Sequence, residues 1–66
     1  MTEAELDLIN DQDELLRYEK KLYRFIGMLG VDYIFSDIIT NNVIALNRNT
    51  ILTKGKIAFR DSVKNI

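Results

Sequence analysis

The fold of this chain is decided by residues 2–30, which read TEAELDLINDQDELLRYEKKLYRFIGMLG. Leucines recur every seven residues through the stretch, at Leu8, Leu15, Leu22 and Leu29. Apolar residues at heptad spacing are typical of one face of an amphipathic helix. Thr2 and Glu5 have the spacing of a capping box, and Gly27 and Gly30 are typical of a helix end. The stretch therefore predicts one long amphipathic helix over residues 1–30.

The weakest part of this predicted helix is the segment Asn-Asp-Gln-Asp at residues 10–13. Asparagine and aspartate are poor helix formers because their side chains compete for backbone hydrogen bonds. Asp11 and Glu14 also have capping-box spacing, so a second helix can begin there. We therefore expect either a continuous helix or a break near residues 10–12, with residues 1–10 as a helical or flexible arm.

Residues 31–53 contain ten β-branched residues, which favours strands. Asn47, Arg48 and Asn49 would form a hairpin loop, and Lys54 with Gly55 a second turn. Alternate residues would then form one apolar face against the long helix: Ile44, Leu46, Leu52, Ile57 and Phe59. The predicted fold class is α+β, a long N-terminal amphipathic helix followed by a small β-hairpin or meander.

An alternative interpretation of the same half is helical. The residues from Val31 to Leu46 and from about Lys56 to Asn65 also fit two short helices, which would make the protein an all-α three-helix domain. Periodicity does not discriminate between helix and strand for residues 31–42. In either case, 66 residues predict a single small domain over residues 1–66, with a basic C-terminal third.

The charges are sorted along the chain. Residues 1–19 contain seven acidic residues and Arg17 as their one basic residue, a net charge of −6, whereas residues 20–66 contain eight basic and three acidic residues, a net charge of +5. The net charge of −1 and the pI near 5.2 argue against a dedicated nucleic-acid-binding protein, which is usually strongly basic.

Composition also limits the chemistry. The chain has no cysteine and no histidine, so it lacks the best side-chain nucleophile, the commonest general base and imidazole metal ligands. Ser36 and Ser62 have no histidine partner, and Asp11-x-Asp13 lacks the glycine of a calcium loop because Leu16 occupies that position. We predict no enzymatic activity, no cofactor and no bound metal.

The sequence contains neither a signal-peptide pattern nor an apolar run long enough to span a membrane, which predicts a cytoplasmic protein with no membrane partner. Isoleucine and asparagine are frequent, whereas proline and tryptophan are absent. This composition is typical of AT-rich genomes, including those of bacteriophages. The predicted location is therefore the host cytoplasm, or the virion if the chain is phage-encoded.

The length of the predicted helix indicates a partner. A helix over residues 3–29 would be about 40 Å long, whereas a globule of this size is about 28 Å across. We therefore predict a non-enzymatic protein–protein interaction or assembly protein, a homo-oligomer joined through a coiled-coil-like helix. A phage or mobile-element assembly component and a modulator of a host protein are the two settings considered. The predicted self-association or partner residues are Leu6, Leu8, Ile9, Leu15, Tyr18, Leu22 and Phe25.

The alternative function is a small dimeric nucleic-acid-binding regulator. Its basic residues would neutralise phosphates, with Phe59 or Tyr33 as a stacking surface. The predicted nucleic-acid contacts lie in the C-terminal third: Arg48, Lys54, Lys56, Arg60 and Lys64. The sequence leaves the identity of the partner, the stoichiometry of the oligomer and the orientation of its helices open.

Overall fold

A computed structural model describes residues 1–63 as two short helices packed on one side of a five-stranded antiparallel sheet. The order of elements is α1 (Glu3–Asp11), β1 (Leu15–Tyr18), β2 (Lys21–Leu29), β3 (Asp32–Asp37), β4 (Val43–Leu46), α2 (Arg48–Lys54) and β5 (Lys56–Ala58), followed by a single 3-10 turn at Arg60–Ser62. The strand order is β4-β3-β2-β1-β5, because β5 returns to pair with β1. The α+β fold class is confirmed.

The prediction of a long N-terminal helix is wrong. Helix α1 has nine residues, which corresponds to about 14 Å. Its capping box is as predicted, since the Thr2 hydroxyl accepts from the amide of Glu5 at 3.1 Å and the Glu5 carboxylate from the amide of Thr2 at 2.9 Å. The helix ends at Asp11, within the segment predicted to break it, and Asp13 takes a left-handed conformation with φ 61°.

Residues 15–29, predicted as helix, form the hairpin of β1 and β2. Glu19 and Lys20 make its two-residue turn, both at positive φ (49° and 66°). Strand β2 has a register irregularity between Phe25 and Gly27, which leaves Ile26 unpaired. Tyr23 and Phe25 lie two positions apart before this bulge, so the segment fits strand periodicity as well as the heptad.

The second half of the chain is also partly different from the prediction. Residues 31–42 contain β3 and a loop, so the strand interpretation holds there and the three-helix alternative is wrong. The hairpin predicted around Asn47 is wrong, because the Asn47 side chain accepts from the amide of Thr50 at 2.8 Å and caps α2. The predicted turn at Lys54 and Gly55 is instead the end of that helix.

Strand alternation gives the sheet two faces. The inner face packs against both helices in one buried cluster: Leu6, Ile9, Leu16, Tyr23, Tyr33, Phe35 and Ile51. The outer face carries a smaller buried cluster of three residues: Leu15, Leu22 and Ala58. The Met1 ammonium group donates to the Leu52 carbonyl at 2.7 Å, which ties the start of α1 to α2. Within residues 1–63 neither helix is long and apolar enough to cross a bilayer.

Candidate binding surfaces

The residues predicted for self-association lie mainly in the chain's own cores. Leu6 and Ile9 are buried in the inner cluster, and Leu15 and Leu22 in the outer one. The other three are half-buried: Leu8, Tyr18 and Phe25. A partner was predicted on these residues because the predicted helix was longer than the globule. Since α1 has nine residues, that reason does not hold, and the exposed apolar surface lies elsewhere.

The free edge of β4 is the first candidate surface. This strand ends the sheet, and within residues 1–63 no other strand pairs with its second edge. Its sequence, Val-Ile-Ala-Leu, contains neither a charge nor a proline, the residues that usually protect an exposed edge. Val43 is 59% exposed, and Ala45 is also exposed. The edge is therefore open to pairing with a further strand.

An apolar area on the outer face adjoins this edge. Ile34 lies opposite Ala45 on β4 and opposite Gly27 on β2, so these residues share the outer face. Two positions further along β2, Leu29 is 73% exposed. We call this area the outer apolar patch and define it by four residues: Leu29, Ile34, Val43 and Ala45. Neither described helix covers it, because both pack on the inner face.

Two of the five predicted nucleic-acid contacts are held by acidic residues. Arg48 forms an ion pair with Glu3 and donates from Nη1 to the Tyr33 hydroxyl at 2.9 Å, and this hydrogen bond raises the pKa of Arg48. Arg60 lies 3.3 Å from the Asp13 carboxylate and donates from Nε to the Asp13 carbonyl at 3.0 Å. Both arginines join distant parts of the chain.

The remaining predicted contacts are not brought together. Lys54 ends α2, which packs on the inner face, while Lys56 is an exposed residue of β5; Lys64 lies outside the described residues. Of the two aromatic residues predicted to stack on bases, Tyr33 is buried in the inner cluster and Phe59 is 45% exposed. The described members of this set therefore do not form one surface.

A different group of basic residues does meet on the outer face. Lys56 lies opposite Arg17, which lies opposite Leu22 on β2. Arg17, the turn residue Lys20 and the first residue of β2, Lys21, line an open groove of about 470 Å³. This group was not predicted, because the heptad pattern predicted Lys20 and Lys21 to lie within a long helix. The two adjacent lysines were the available signal.

Asp37 fixes one wall of this groove. Its Oδ1 accepts from the amide of Ile39 at 2.8 Å and from that of Thr40 at 3.2 Å, and these two hydrogen bonds hold the pKa of the carboxyl below its usual range. Lys21 lowers the pKa further by its charge. Burial, followed by the charge of Asp37, raises the pKa of the nearby Tyr23 hydroxyl. The carboxylate is thus engaged in holding the loop that follows β3.

No cluster of potential metal ligands is found in the described part of the chain. Residues 1–63 contain no group of three acidic residues placed to hold a metal ion. Comparison with protein families, with characterised proteins and with solved structures gives no match. The described residues therefore offer two candidate binding surfaces, the β4 edge with its outer apolar patch and the basic groove.

Proposed function

We propose that this chain is a small non-enzymatic protein–protein interaction protein that self-associates through the free edge of β4. The observation that carries the proposal is the edge itself, which is apolar, uncharged and unpaired within the described residues. Strand addition at such an edge satisfies the unpaired backbone N–H and C=O groups of both chains. The proposal keeps the predicted homo-oligomer but moves its interface from the N-terminal helix to the sheet.

A second copy is the occupant that fits this edge. Antiparallel pairing of β4 with β4 about a two-fold axis places apolar side chains opposite each other and brings no like charges together. With the axis at Ile44, Val43 of each copy lies opposite Ala45 of the other. Because the outer apolar patch begins at these residues, the patches of the two copies meet across the new strand pair and shield each other from water.

The other edge of the sheet is less suited to such pairing. Strand β5 has three residues and carries Lys56, and symmetric pairing there would place this residue close to its copy. Charge and shortness are both devices that protect an edge from strand addition. The two ends of the sheet therefore differ, which favours a closed dimer through β4 over an open chain of molecules.

The non-enzymatic part of the proposal is supported by composition. The chain has neither histidine nor cysteine, and its two serines lack the partners that activate a hydroxyl nucleophile. A phage or mobile-element assembly component and a modulator of a host protein both remain proposals from composition. Self-association favours the first, because an assembly component needs contacts between identical chains.

The test is the oligomeric state of the wild-type protein and of Ala45→Glu. Sedimentation velocity at rising micromolar concentrations is expected to show the wild type at about twice the 7.7 kDa chain mass. Glutamate at the centre of the apolar strand pair would be desolvated without a partner, which is expected to weaken dimerisation by at least about tenfold.

Ala4→Glu is the matched control, since it makes the same change at an exposed alanine of α1. This variant is expected to dimerise as the wild type does, and circular dichroism checks that both variants remain folded. A wild type that stays monomeric over the whole range, or equal weakening by the two substitutions, would contradict the proposal.

A further inference from the structure

The charges sorted along the sequence become charges sorted across the molecule. Helix α1 carries four acidic residues on the side of the inner face: Glu3, Glu5, Asp7 and Asp11. The outer face, by contrast, carries Arg17 and Arg24 on neighbouring strands, with Lys56 opposite the first of them. A net charge of −1 therefore conceals a basic surface directed away from the acidic helix.

The larger groove on this surface combines cations with an apolar wall. Arg17, Lys20 and Lys21 line it, and none of the three forms an ion pair within residues 1–63. Leu22, Ile39 and Val63 supply its apolar lining. The acidic residues nearby are Glu19 in the turn and Asp37, whose Oδ1 is occupied by two backbone amides. A ligand with an anionic group and an apolar, flat body matches this lining.

A second groove of about 270 Å³ lies beside the first and shares Val63 with it. Arg24 and Arg60 line this groove, together with the apolar side chains of Leu15 and Ile38. Both grooves are lined by basic and apolar side chains, and they lie next to each other. They therefore fit a ligand in which anionic groups alternate with flat apolar groups. A single-stranded polynucleotide is such a ligand, since phosphates alternate along it with unpaired bases.

We propose that the outer face at β1 and β2 binds single-stranded nucleic acid, with phosphates on Arg17 and Lys20 and a base in each groove. A duplex is disfavoured because its stacked bases cannot enter the grooves. Bases lie against aliphatic side chains and the arginine planes, since no aromatic residue lines either groove within the described residues. Binding is consequently weak and tolerant of base sequence.

The site is separate from the proposed dimer interface. Strands β1 and β2, the loop after β3 and residues 60–63 line the grooves, and none of the lining residues belongs to β4, which lies at one end of the sheet. Pairing of β4 with β4 involves none of the groove-lining residues, so a dimer presents the two grooves of each copy, four in all, on one continuous sheet. The proposals of nucleic-acid binding and of self-association can therefore be tested independently. The variant Ala45→Glu is expected to bind oligonucleotide as a monomer.

The experiment is fluorescence anisotropy with labelled oligo(U) and oligo(dT) over a range of salt concentrations. The logarithm of the affinity is expected to fall linearly with the logarithm of the salt concentration, with a slope of about −0.7 for each phosphate contacted. The double variant Arg17→Gln/Lys20→Gln is expected to bind at least about tenfold more weakly and to lose about one and a half units of that slope.

Lys54→Gln is the matched control, because it removes an exposed cation at the end of α2, on the helix side of the molecule. It is expected to leave both affinity and slope unchanged. Absence of binding at low salt, or an equal loss in the control, would overturn the proposal. So would equal affinity for duplex DNA or heparin, which indicates a general polyanion surface, or salt-sensitive self-association without oligonucleotide binding, which indicates the acidic helix of a second copy.

Discussion

Both faces of the sheet carry apolar side chains, but the two faces are covered very differently. On the inner face, α1 and α2 close over one large buried cluster that includes Phe35 at 0% exposure. On the outer face, the loop after β3 and the last described residues cover only the end near β1, through Ile38 and Val63. The end near β4 is bare, and Val43 is 59% exposed there.

This difference separates the residues that the fold needs from those that it does not. Apolar side chains on the inner face exclude water within one chain, so stability explains them. Apolar side chains in the outer apolar patch exclude less water within one chain, because Leu29 and Val43 are largely exposed. A contiguous patch of this kind on a small protein indicates an interaction site. The bare end of the outer face is thus where a partner is expected, and the covered end is where basic grooves form.

The largest expected effect comes from breaking the inner face while leaving the outer one intact. Phe35→Ala removes a fully buried ring that packs against Phe25 at a centroid distance of 5.8 Å. Loss of the transfer free energy and the cavity left behind are expected to lower the free energy of unfolding by about 3–5 kcal/mol. Urea denaturation followed by circular dichroism measures this change.

Ile34→Ala is the control for this substitution, because Ile34 is the preceding residue of β3 and points to the outer face. Its side chain is half-buried, so the expected loss is about 1 kcal/mol. If the two substitutions lowered the free energy of unfolding equally, the outer apolar patch would be part of the folding core and the comparison between the faces would fail.

The local part of the fold is readable from the sequence. Thr2 and Glu5 specify the start of α1 through groups three residues apart, and the poor helix formers from Asn10 onward end it. The strands that follow depend on partners far along the chain, such as Leu15 with Ala58. The leucines at heptad spacing in residues 8–29 predicted a helix instead of these strands. Periodicity can be read from neighbouring residues, whereas strand pairing depends on residues far along the chain.

Turn chemistry explains the remaining differences. Glu19 and Lys20 adopt positive φ without the glycine or asparagine that marks most such turns, so the hairpin of β1 and β2 carried no recognisable signal. Asn47 was assigned to a hairpin loop, although its side chain caps α2. In both roles the asparagine side-chain oxygen accepts a hydrogen bond from a nearby backbone N–H. The residue type alone therefore does not discriminate between a turn and a helix cap.

The basic groove could not be predicted because it is a product of pairing. Its cations are close in sequence, but the facing wall comes from Ile39 and Val63, which only the fold brings beside Arg17. The open edge of β4 has the same origin, since a strand is at an edge only relative to the whole sheet order. The adjacent lysines at residues 20 and 21 were the one sequence signal for the groove, and no motif pointed to the edge of β4.

A smaller effect is expected at the point where the inner face approaches the backbone most closely. A Cβ atom on Gly55 would lie 2.7 Å from the carbonyl oxygen of Ile51 and 2.7 Å from Cδ1 of Leu16. Gly55→Ala is therefore expected to cost about 1–3 kcal/mol through overpacking, measured by the same denaturation. Gly30→Ala meets no atom within 4 Å and is strained only by its φ of 62°, so it measures backbone strain without crowding. An unchanged free energy of unfolding for Gly55→Ala would contradict crowding at that position.

The smallest effect concerns the loop that covers the outer face. Asp37→Asn keeps an oxygen that accepts from the amides of Ile39 and Thr40 but removes the negative charge that favours those bonds. Since the folded pKa of Asp37 lies below the unfolded value of about 3.9, the charged carboxylate stabilises the folded state above that value. This stabilisation is lost as the pH falls through the folded pKa. The wild type is therefore expected to melt at a higher temperature than Asp37→Asn at neutral pH. The difference should disappear in strong acid. A difference that persists unchanged in acid would show that the amide fails to replace the hydrogen bonds, so that the geometry of the loop, and not its charge, holds the cover on the outer face.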